Sequence, residues 1–225
     1  MLLFYRLPHT TAVNITAARR RTTARVLDLL VAGPILVLLA PLLLLVGLVV
    51  TCTSRGPALF TQVRLGRCRR PFVMYKFRTM FVGSDDRPHR DYVARLMAEP
   101  AMARGPGGLY KLADDPRITR LGRWLRRTSL DELPQLFNVL RGDMSLVGPR
   151  PVLPWEAELF GPEHAVRFDV RPGVTGLWQC SGRNQLTMRQ ALDLDVRYVE
   201  QQSLRLDLTI LLRTIPTVLG RVGAR

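Results

Sequence analysis

The feature that most limits what this chain can fold into is an uncharged apolar segment that runs from Leu29 to Val50. As a helix it would be about 33 Å long, and the hydrocarbon core of a bilayer is about 30 Å thick. Arginines cluster on both sides of the segment, at 19–25 and at 55–78. Positively charged flanks favour the cytoplasmic side of a membrane, and both flanks of this segment are positively charged.

Pro41 lies just past the middle of this segment, where it removes a backbone donor and kinks a helix. The two halves would be about 18 Å and about 15 Å long, each about half a bilayer. The pattern predicts a re-entrant helix–break–helix that enters and leaves by the cytoplasmic face, and a kinked ordinary span is the alternative. The chain then divides into a basic N-terminal segment (1–25), a membrane helix (26–52) and a cytosolic domain (53–225).

The composition is strongly basic, with 33 Lys and Arg against 18 Asp and Glu, a formal net charge of +15. Such a charge indicates polyanionic partners: nucleic acid, anionic lipid headgroups or phosphorylated substrates. The three cysteines, Cys52, Cys68 and Cys180, are far apart in the sequence and form no CxxC pair. This spacing argues against a zinc site and against a disulfide framework.

The rest of the chain predicts an α+β fold that is mainly helical. Two stretches of β-like composition, 57–62 and 72–77, are separated by a turn-like GRCRRP sequence and predict a short hairpin. Helices are predicted at 91–99, 118–127, 133–140, 188–200 and 206–219. The last of these is rich in leucine and isoleucine, so either a core position or a membrane-interface position suits it.

The stretch TSLDELPQ, residues 128–135, places two adjacent carboxylates, Asp131 and Glu132, after a series of arginines that includes Arg126. Further along, Arg150 stands between two prolines, and rigid presentation of this kind suits bidentate capture of phosphate. A carboxylate can attack phosphorus while arginines and a divalent metal neutralise charge. The residues alone leave two interpretations open, a phosphoryl-transfer site or a structural Asp–Arg arrangement.

Four longer stretches carry a resemblance to a known family. They are MYKFRTM (74–80), DDPRITRLGRWLRRTSLDELPQLFNVLRGDMSLVGPRP (114–151), RPGVTGLWQCSGRN (171–184) and LDLDVRYVEQQSLRLDLTILLRT (192–214). Over about residues 25–219 the chain resembles the bacterial sugar transferases, small monotopic phosphoglycosyl transferases that act on polyprenyl phosphate. It departs from them at Ala40, since the family usually has serine before the proline of the membrane helix.

The resemblance implies that Asp131 attacks the sugar-bearing phosphorus of a UDP-sugar, releases UMP and forms a phosphosugar–aspartate intermediate. Polyprenyl phosphate, undecaprenyl phosphate in bacteria, then accepts the phosphosugar. Glu132 is the implied Mg²⁺ ligand. This chemistry implies the cytoplasmic face of the bacterial inner membrane, as the first membrane step of exopolysaccharide, capsule or glycan-lipid synthesis.

The same resemblance implies a set of basic residues that contact substrate phosphate: Arg126, Arg150, Arg78 and Lys76. Asp143 and Arg171 are expected to lie behind these residues and to hold them in place without contacting the substrate. Nothing in the sequence identifies the sugar or the oligomeric state, and no role follows for the loop at 81–110.

Two other classes of protein fit parts of the pattern. A membrane-tethered nucleic-acid-binding protein would have basic residues in a stripe with exposed aromatic residues, whereas here many flank the apolar segment and the acidic pair. Nucleic acid is therefore not an expected partner. A non-catalytic membrane-bound relative is the other alternative, and the intact pair Asp131–Glu132 argues against it.

Overall fold

A computed structural model describes residues 10–98, 115–181 and 186–219. Part of the loop at 81–110 and part of the sequence at 171–184 lie outside these residues. The described chain is mainly helical, as predicted, and contains the predicted hairpin and a second small sheet that the sequence did not predict. Its helices and strands are α1 (Thr10–Thr53), β1 (Leu59–Leu65), β2 (Pro71–Phe77), α2 (Arg87–Ala98), α3 (Arg120–Thr128), α4 (Gln135–Arg141), β3 (Ser145–Val147), α5 (Pro154–Glu158), β4 (Gly173–Thr175), α6 (Leu177–Cys180), α7 (Met188–Gln201) and α8 (Leu204–Leu219).

Helix α1 runs without interruption through both Pro34 and Pro41. Helical residues therefore continue on both sides of Pro41, the position of the predicted break, because a proline removes one donor without ending the hydrogen bonds on either side. Among the described residues it is the one helix with the length and apolar composition to cross a membrane. Many of its side chains are exposed, for example Val37, Leu38 and Leu44 at 76–78%.

The N-terminal part of α1 is fixed to the globular body by two charged side chains. Arg25 donates to the carbonyl oxygens of Val139 and Leu140, at the end of α4. Asp28, only 2% exposed, accepts from the main-chain N–H of Leu146 at 2.8 Å. Sequence reasoning missed Asp28, which lies one position before the apolar segment.

The C-terminal part of α1 contacts the same globular body. Val46 and Val50 are buried in a cluster with Phe77 of β2 and Leu125 of α3. Both parts of the apolar helix therefore pack on a single folded unit.

The predicted hairpin is confirmed, with both strands extending further toward the turn than their composition indicated. Strands β1 and β2 pair antiparallel, with Val63 opposite Val73. The outer edge of β2 is closed by one side chain: the carboxamide of Asn138 accepts from the N–H of Tyr75 at 3.1 Å and donates to the carbonyl of Val73 at 2.7 Å. A single amide thus takes the place of a third strand.

A second, parallel pair of strands, β3 and β4, brings the chain near residue 148 against the chain near 173. A Cβ atom on Gly173 would lie 2.1 Å from the main-chain nitrogen of Gly148, so this approach requires glycine. Around the pair, the largest core cluster joins Ala32 of α1, Val139 of α4 and Ile210 of α8.

Helix α8 has one buried side and one exposed apolar side. Ile210 and Asp207 lie on the buried side, at 1% and 4% exposure. The other side exposes a run of large apolar side chains at helical spacing: Leu204, Leu208, Leu212 and Ile215. The core position and the interface position predicted as alternatives are thus both compatible with this helix.

Candidate active site

The acidic pair lies in a single 3₁₀ turn, Leu130–Glu132, between α3 and α4. Ser129 ends α3 in the left-handed conformation at φ 57°, and its N–H bonds back to the carbonyls of Leu125 and Arg126. This sharp ending turns Asp131 inward, to 7% exposure, while the side chain of Glu132 is 25% exposed. The two carboxylates therefore occupy different environments although they are adjacent in sequence.

Lys76 of β2 meets this turn from the neighbouring strand. Its Nζ lies 3.4 Å from Oε1 of Glu132. Burial lowers the pKa of the Lys76 ammonium, and so does the positive charge of Arg150, while the charges of Glu132 and Asp131 act in the opposite direction. The carboxylates of Glu132 and Asp131 and the guanidinium of Arg150 are therefore all close enough to Lys76 to affect its pKa.

A small cleft opens at this point. Its polar lining consists of Lys76, Glu132, Gln135, Arg150 and Gln179. Asp131 does not line the cleft but is adjacent to Glu132, below the surface. Gln135 and Gln179, buried at 3% and 4%, were missed by sequence reasoning, because neutral amides carry no pattern that separates a site from a core.

Arg126 approaches the turn from α3. Its Nε donates to Oγ1 of Thr79 at 2.8 Å, which fixes the guanidinium next to the strand that carries Lys76. Burial lowers the pKa of Arg126, and the charge of Asp131 is the largest effect that opposes this lowering. An arginine remains charged even when its pKa falls, so Arg126 supplies a positive charge close to Asp131.

Arg78 is not at this site, and its predicted contact with phosphate is corrected. It is 5% exposed, and its guanidinium donates to carbonyl oxygens at the end of α1 and just beyond. The acceptors are Val50 at 3.5 Å, Ser54 at 2.8 Å, Gly56 at 3.0 Å and also Arg55. The last carbonyls of a helix lack partners within the helix, and Arg78 satisfies them.

Asp143 and Arg171 each interact with residues outside the acidic pair. Asp143 accepts from the Asn138 amide at 3.4 Å, so it supports the side chain that holds β2. Arg171 is within electrostatic range of Asp28. Of the predicted site residues, the structure brings together Asp131, Glu132, Lys76, Arg126 and Arg150.

The acidic pair could supply one or two of the oxygen ligands that a magnesium ion takes in proteins. Among the residues described, no group of three or more His, Cys, Asp or Glu side chains could hold a metal ion by itself. Mg²⁺ needs only one or two protein carboxylates when substrate phosphates and water complete its shell. Glu132, the more exposed of the two, would be the ligand.

Comparison with known proteins agrees with the resemblance found in the sequence. Residues 19–221 match the family model described as bacterial sugar transferase. The chain is 41% identical over 212 residues to an undecaprenyl-phosphate galactose phosphotransferase of Salmonella typhimurium, covering 94% of this chain and 43% of that protein. The match with this chain therefore spans less than half of the length of several curated relatives.

Two relatives are closer to this chain in length. A UDP-glucose:undecaprenyl-phosphate glucose-1-phosphate transferase of Caulobacter vibrioides is 44% identical over 203 residues, covering 87% of this chain and 69% of the relative. The exopolysaccharide production protein ExoY of Sinorhizobium fredii is 42% identical over 194 residues, covering 86% and 84%.

Proposed function

Because this chain belongs to the bacterial sugar transferase family, we propose that it transfers a sugar-1-phosphate from a UDP-sugar to polyprenyl phosphate. The observation that carries the proposal is the site itself: a buried aspartate beside a more exposed glutamate, with Lys76, Arg126 and Arg150 around them. Relatives are named for undecaprenyl phosphate as acceptor, and one is named for UDP-glucose as donor.

In the first step, a carboxylate oxygen of Asp131 attacks the phosphorus that bears the sugar. A new P–O bond forms to Asp131, the bond between that phosphorus and the bridging oxygen of UMP breaks, and UMP leaves with the electron pair. The product is a phosphosugar ester of Asp131, an acyl phosphate of the kind formed by nucleophilic carboxylates.

In the second step, a phosphate oxygen of the polyprenyl phosphate attacks the same phosphorus. The bond to Asp131 breaks, the carboxylate is restored, and polyprenyl diphosphate sugar is released. Dividing the transfer in this way means that the two substrates need not occupy the small cleft together.

The charges around the acidic pair match the demands of both steps. Arg126, Arg150 and Lys76 supply positive charge where negative charge accumulates on the transferring phosphoryl group. Glu132 would hold Mg²⁺, which supplies further charge neutralisation on the diphosphate.

We also propose that α1 is a re-entrant segment in the inner membrane with the site on the cytoplasmic side, and the contacts of α1 support the re-entry. Its N-terminal part, at Ala32, packs in a cluster with Met74 of β2, and its C-terminal part, at Val50, packs in a cluster with Phe77 of the same strand. Attachment of both parts to one folded unit favours one side of the membrane for both.

The proposal is tested by intact-protein mass after incubation of the detergent-solubilised chain with UDP-glucose, UDP-galactose or an N-acetylated UDP-sugar, with Mg²⁺ and without lipid. We expect an added sugar phosphate with one donor, loss of that adduct in Asp131→Asn, and its discharge on adding undecaprenyl phosphate. Glu132→Gln should still bind the donor but form the adduct more slowly.

Two outcomes would contradict the proposal in different ways. If UMP appears only after lipid is added and no adduct forms, the transfer is direct and Asp131 has another role. If neither UMP nor an adduct appears with any donor, the chain does not perform this reaction on UDP-sugars.

A further inference from the structure

The tripeptide Pro149–Arg150–Pro151 presents Arg150 to the cleft, and its main chain is held at three successive carbonyl oxygens. The carbonyl of Pro149 accepts from the N–H of Gly173 at 2.8 Å. The carbonyl of Arg150 accepts from Nη2 of Arg167 at 2.8 Å. The carbonyl of Pro151 accepts from Nη1 of Arg64 at 3.3 Å.

Two of these three donors are arginines that are themselves held by buried carboxylates. Nη2 of Arg167 lies 2.7 Å from Oδ2 of Asp195, and the two side chains are 2% and 3% exposed. Nη1 of Arg64 lies 3.4 Å from Oε2 of Glu156, with side chains 9% and 2% exposed. The guanidinium of Arg167 also packs against the rings of Phe160 and Phe168, at 5.1 Å and 5.4 Å from their centroids.

These two pairs are costly ways to stabilise a fold. Bringing a charge pair out of water costs several kcal/mol per ion, and well-packed apolar side chains often stabilise a protein as well or better. A guanidinium fixed by a carboxylate, however, is a strong and directional donor to a third group. In both pairs that third group is a carbonyl of the same tripeptide.

Resting on the proposed function, we propose that Arg167–Asp195 and Arg64–Glu156 are positioning pairs for substrate binding. They clamp the main chain on the C-terminal side of Arg150, so that its guanidinium is already placed to receive the diphosphate. The prolines fix the backbone angles on either side, and the pairs fix where that rigid tripeptide lies. They act through Arg150 and do not touch the substrate.

The test is a double-mutant cycle in the full-length chain. One variant replaces the Arg167–Asp195 pair with apolar residues, Arg167→Met with Asp195→Leu. This double replacement leaves no unpaired buried charge. It is combined with Arg150→Met, and kcat and KM for the UDP-sugar are measured for all four proteins. Displacement of a binding group by about 1 Å can reduce turnover about 100-fold, so we expect kcat/KM to fall roughly 10- to 100-fold in the pair variant.

The decisive comparison is in the Arg150→Met background. If the pair acts through Arg150, its replacement there changes kcat/KM by less than about twofold, because coupled sites are not additive. If the two losses multiply, or if the pair variant keeps wild-type KM, the pair does not position Arg150 and the proposal is overturned. A wild-type chain that forms no product would instead contradict the proposed function.

Two further variants complete the test, one as a control and one as a replacement for a variant that does not fold. Arg25→Met removes an arginine that also donates to two carbonyls, but at the end of α4. Its effect should multiply with that of Arg150→Met. If the Arg167 and Asp195 variant does not fold, as judged by its melting temperature, Arg64→Met with Glu156→Leu is taken through the same cycle and must meet the same criterion.

Discussion

Asp207 is a single residue whose charge state should alter stability. It lies in α8, 4% exposed, and accepts a hydrogen bond from the hydroxyl of Tyr198 at 2.8 Å. Burial raises the pKa of Asp207 from 3.8 to about 6, and the nearby charge of Asp28 acts in the same direction. The folded protein therefore holds this proton more tightly than the unfolded chain does.

The free energy of unfolding should consequently fall as the pH rises from about 4 to about 6, since the folded state binds more protons in that window. Asp207→Asn keeps an oxygen acceptor for Tyr198 and removes the charge. We expect it to flatten this slope and to raise the free energy of unfolding at pH 7.5 by on the order of 1–3 kcal/mol. Urea unfolding at pH 4.5, 6 and 7.5 measures this, with the exposed Asp169→Asn as control.

Gly122 is a residue whose lack of a side chain sets the distance between α3 and the chain that follows β2, at Thr79. An added Cβ would lie 2.1 Å from the carbonyl oxygen of Thr79, the residue whose hydroxyl holds Arg126. Gly122→Ala should therefore push α3 away, lower the free energy of unfolding by about 1–3 kcal/mol and raise KM for the UDP-sugar. Wild-type stability together with wild-type KM would refute this reading.

Gly33→Ala is the matched control for Gly122→Ala. Gly33 is also helical, but a Cβ there would meet no atom within 4 Å. Alanine is favoured over glycine in a helix by about 1 kcal/mol, so this variant should be neutral or slightly more stable.

The residues of the site differ in how far the sequence could predict them. Asp131, Glu132 and Arg150 lie in short contiguous motifs whose chemistry is visible in the residue types. Arg167 and Asp195 could not be found in this way, because they are 28 positions apart and meet only when the turn Pro162–Asp169 packs on α7. A long-range buried pair leaves no local pattern, and only the folded chain reveals it.

At the scale of elements, the C-terminal end of α1 depends on Arg78. The family resemblance implied a phosphate contact for Arg78, which follows Lys76 by two positions. Alternate residues of a strand share a face only while the strand continues. Strand β2 ends at Phe77, so this rule no longer applies to Arg78. Its guanidinium turns instead to the carbonyls of Ser54 and Gly56.

Arg78→Met should therefore act on stability and not on substrate binding. Leaving buried carbonyls without a donor should lower the free energy of unfolding by about 1–3 kcal/mol, while KM for the UDP-sugar stays unchanged. Melting temperature and KM are measured beside Arg55→Met, an exposed arginine of the same segment. A raised KM with unchanged stability would restore the original assignment to phosphate.

At the scale of the whole molecule, the attachment of α1 at both of its parts predicts its topology. In a background without Cys52, Cys68 and Cys180, single cysteines at Thr23 and Thr61 lie before and after the apolar segment. Both should be protected from a membrane-impermeant thiol reagent in intact cells and labelled after permeabilisation. Labelling of one site alone in intact cells would mean that the helix spans the membrane.

The closure of the β2 edge by Asn138 also has a consequence for the order of folding during synthesis. The amide that replaces a third strand lies 65 residues after its acceptor at Val73. At about 5–20 residues per second, the ribosome releases the hairpin about 3–13 seconds before it releases this partner. For that interval the nascent chain carries an apolar helix and an open strand edge together, which is when it has most need of a membrane or a chaperone to receive it.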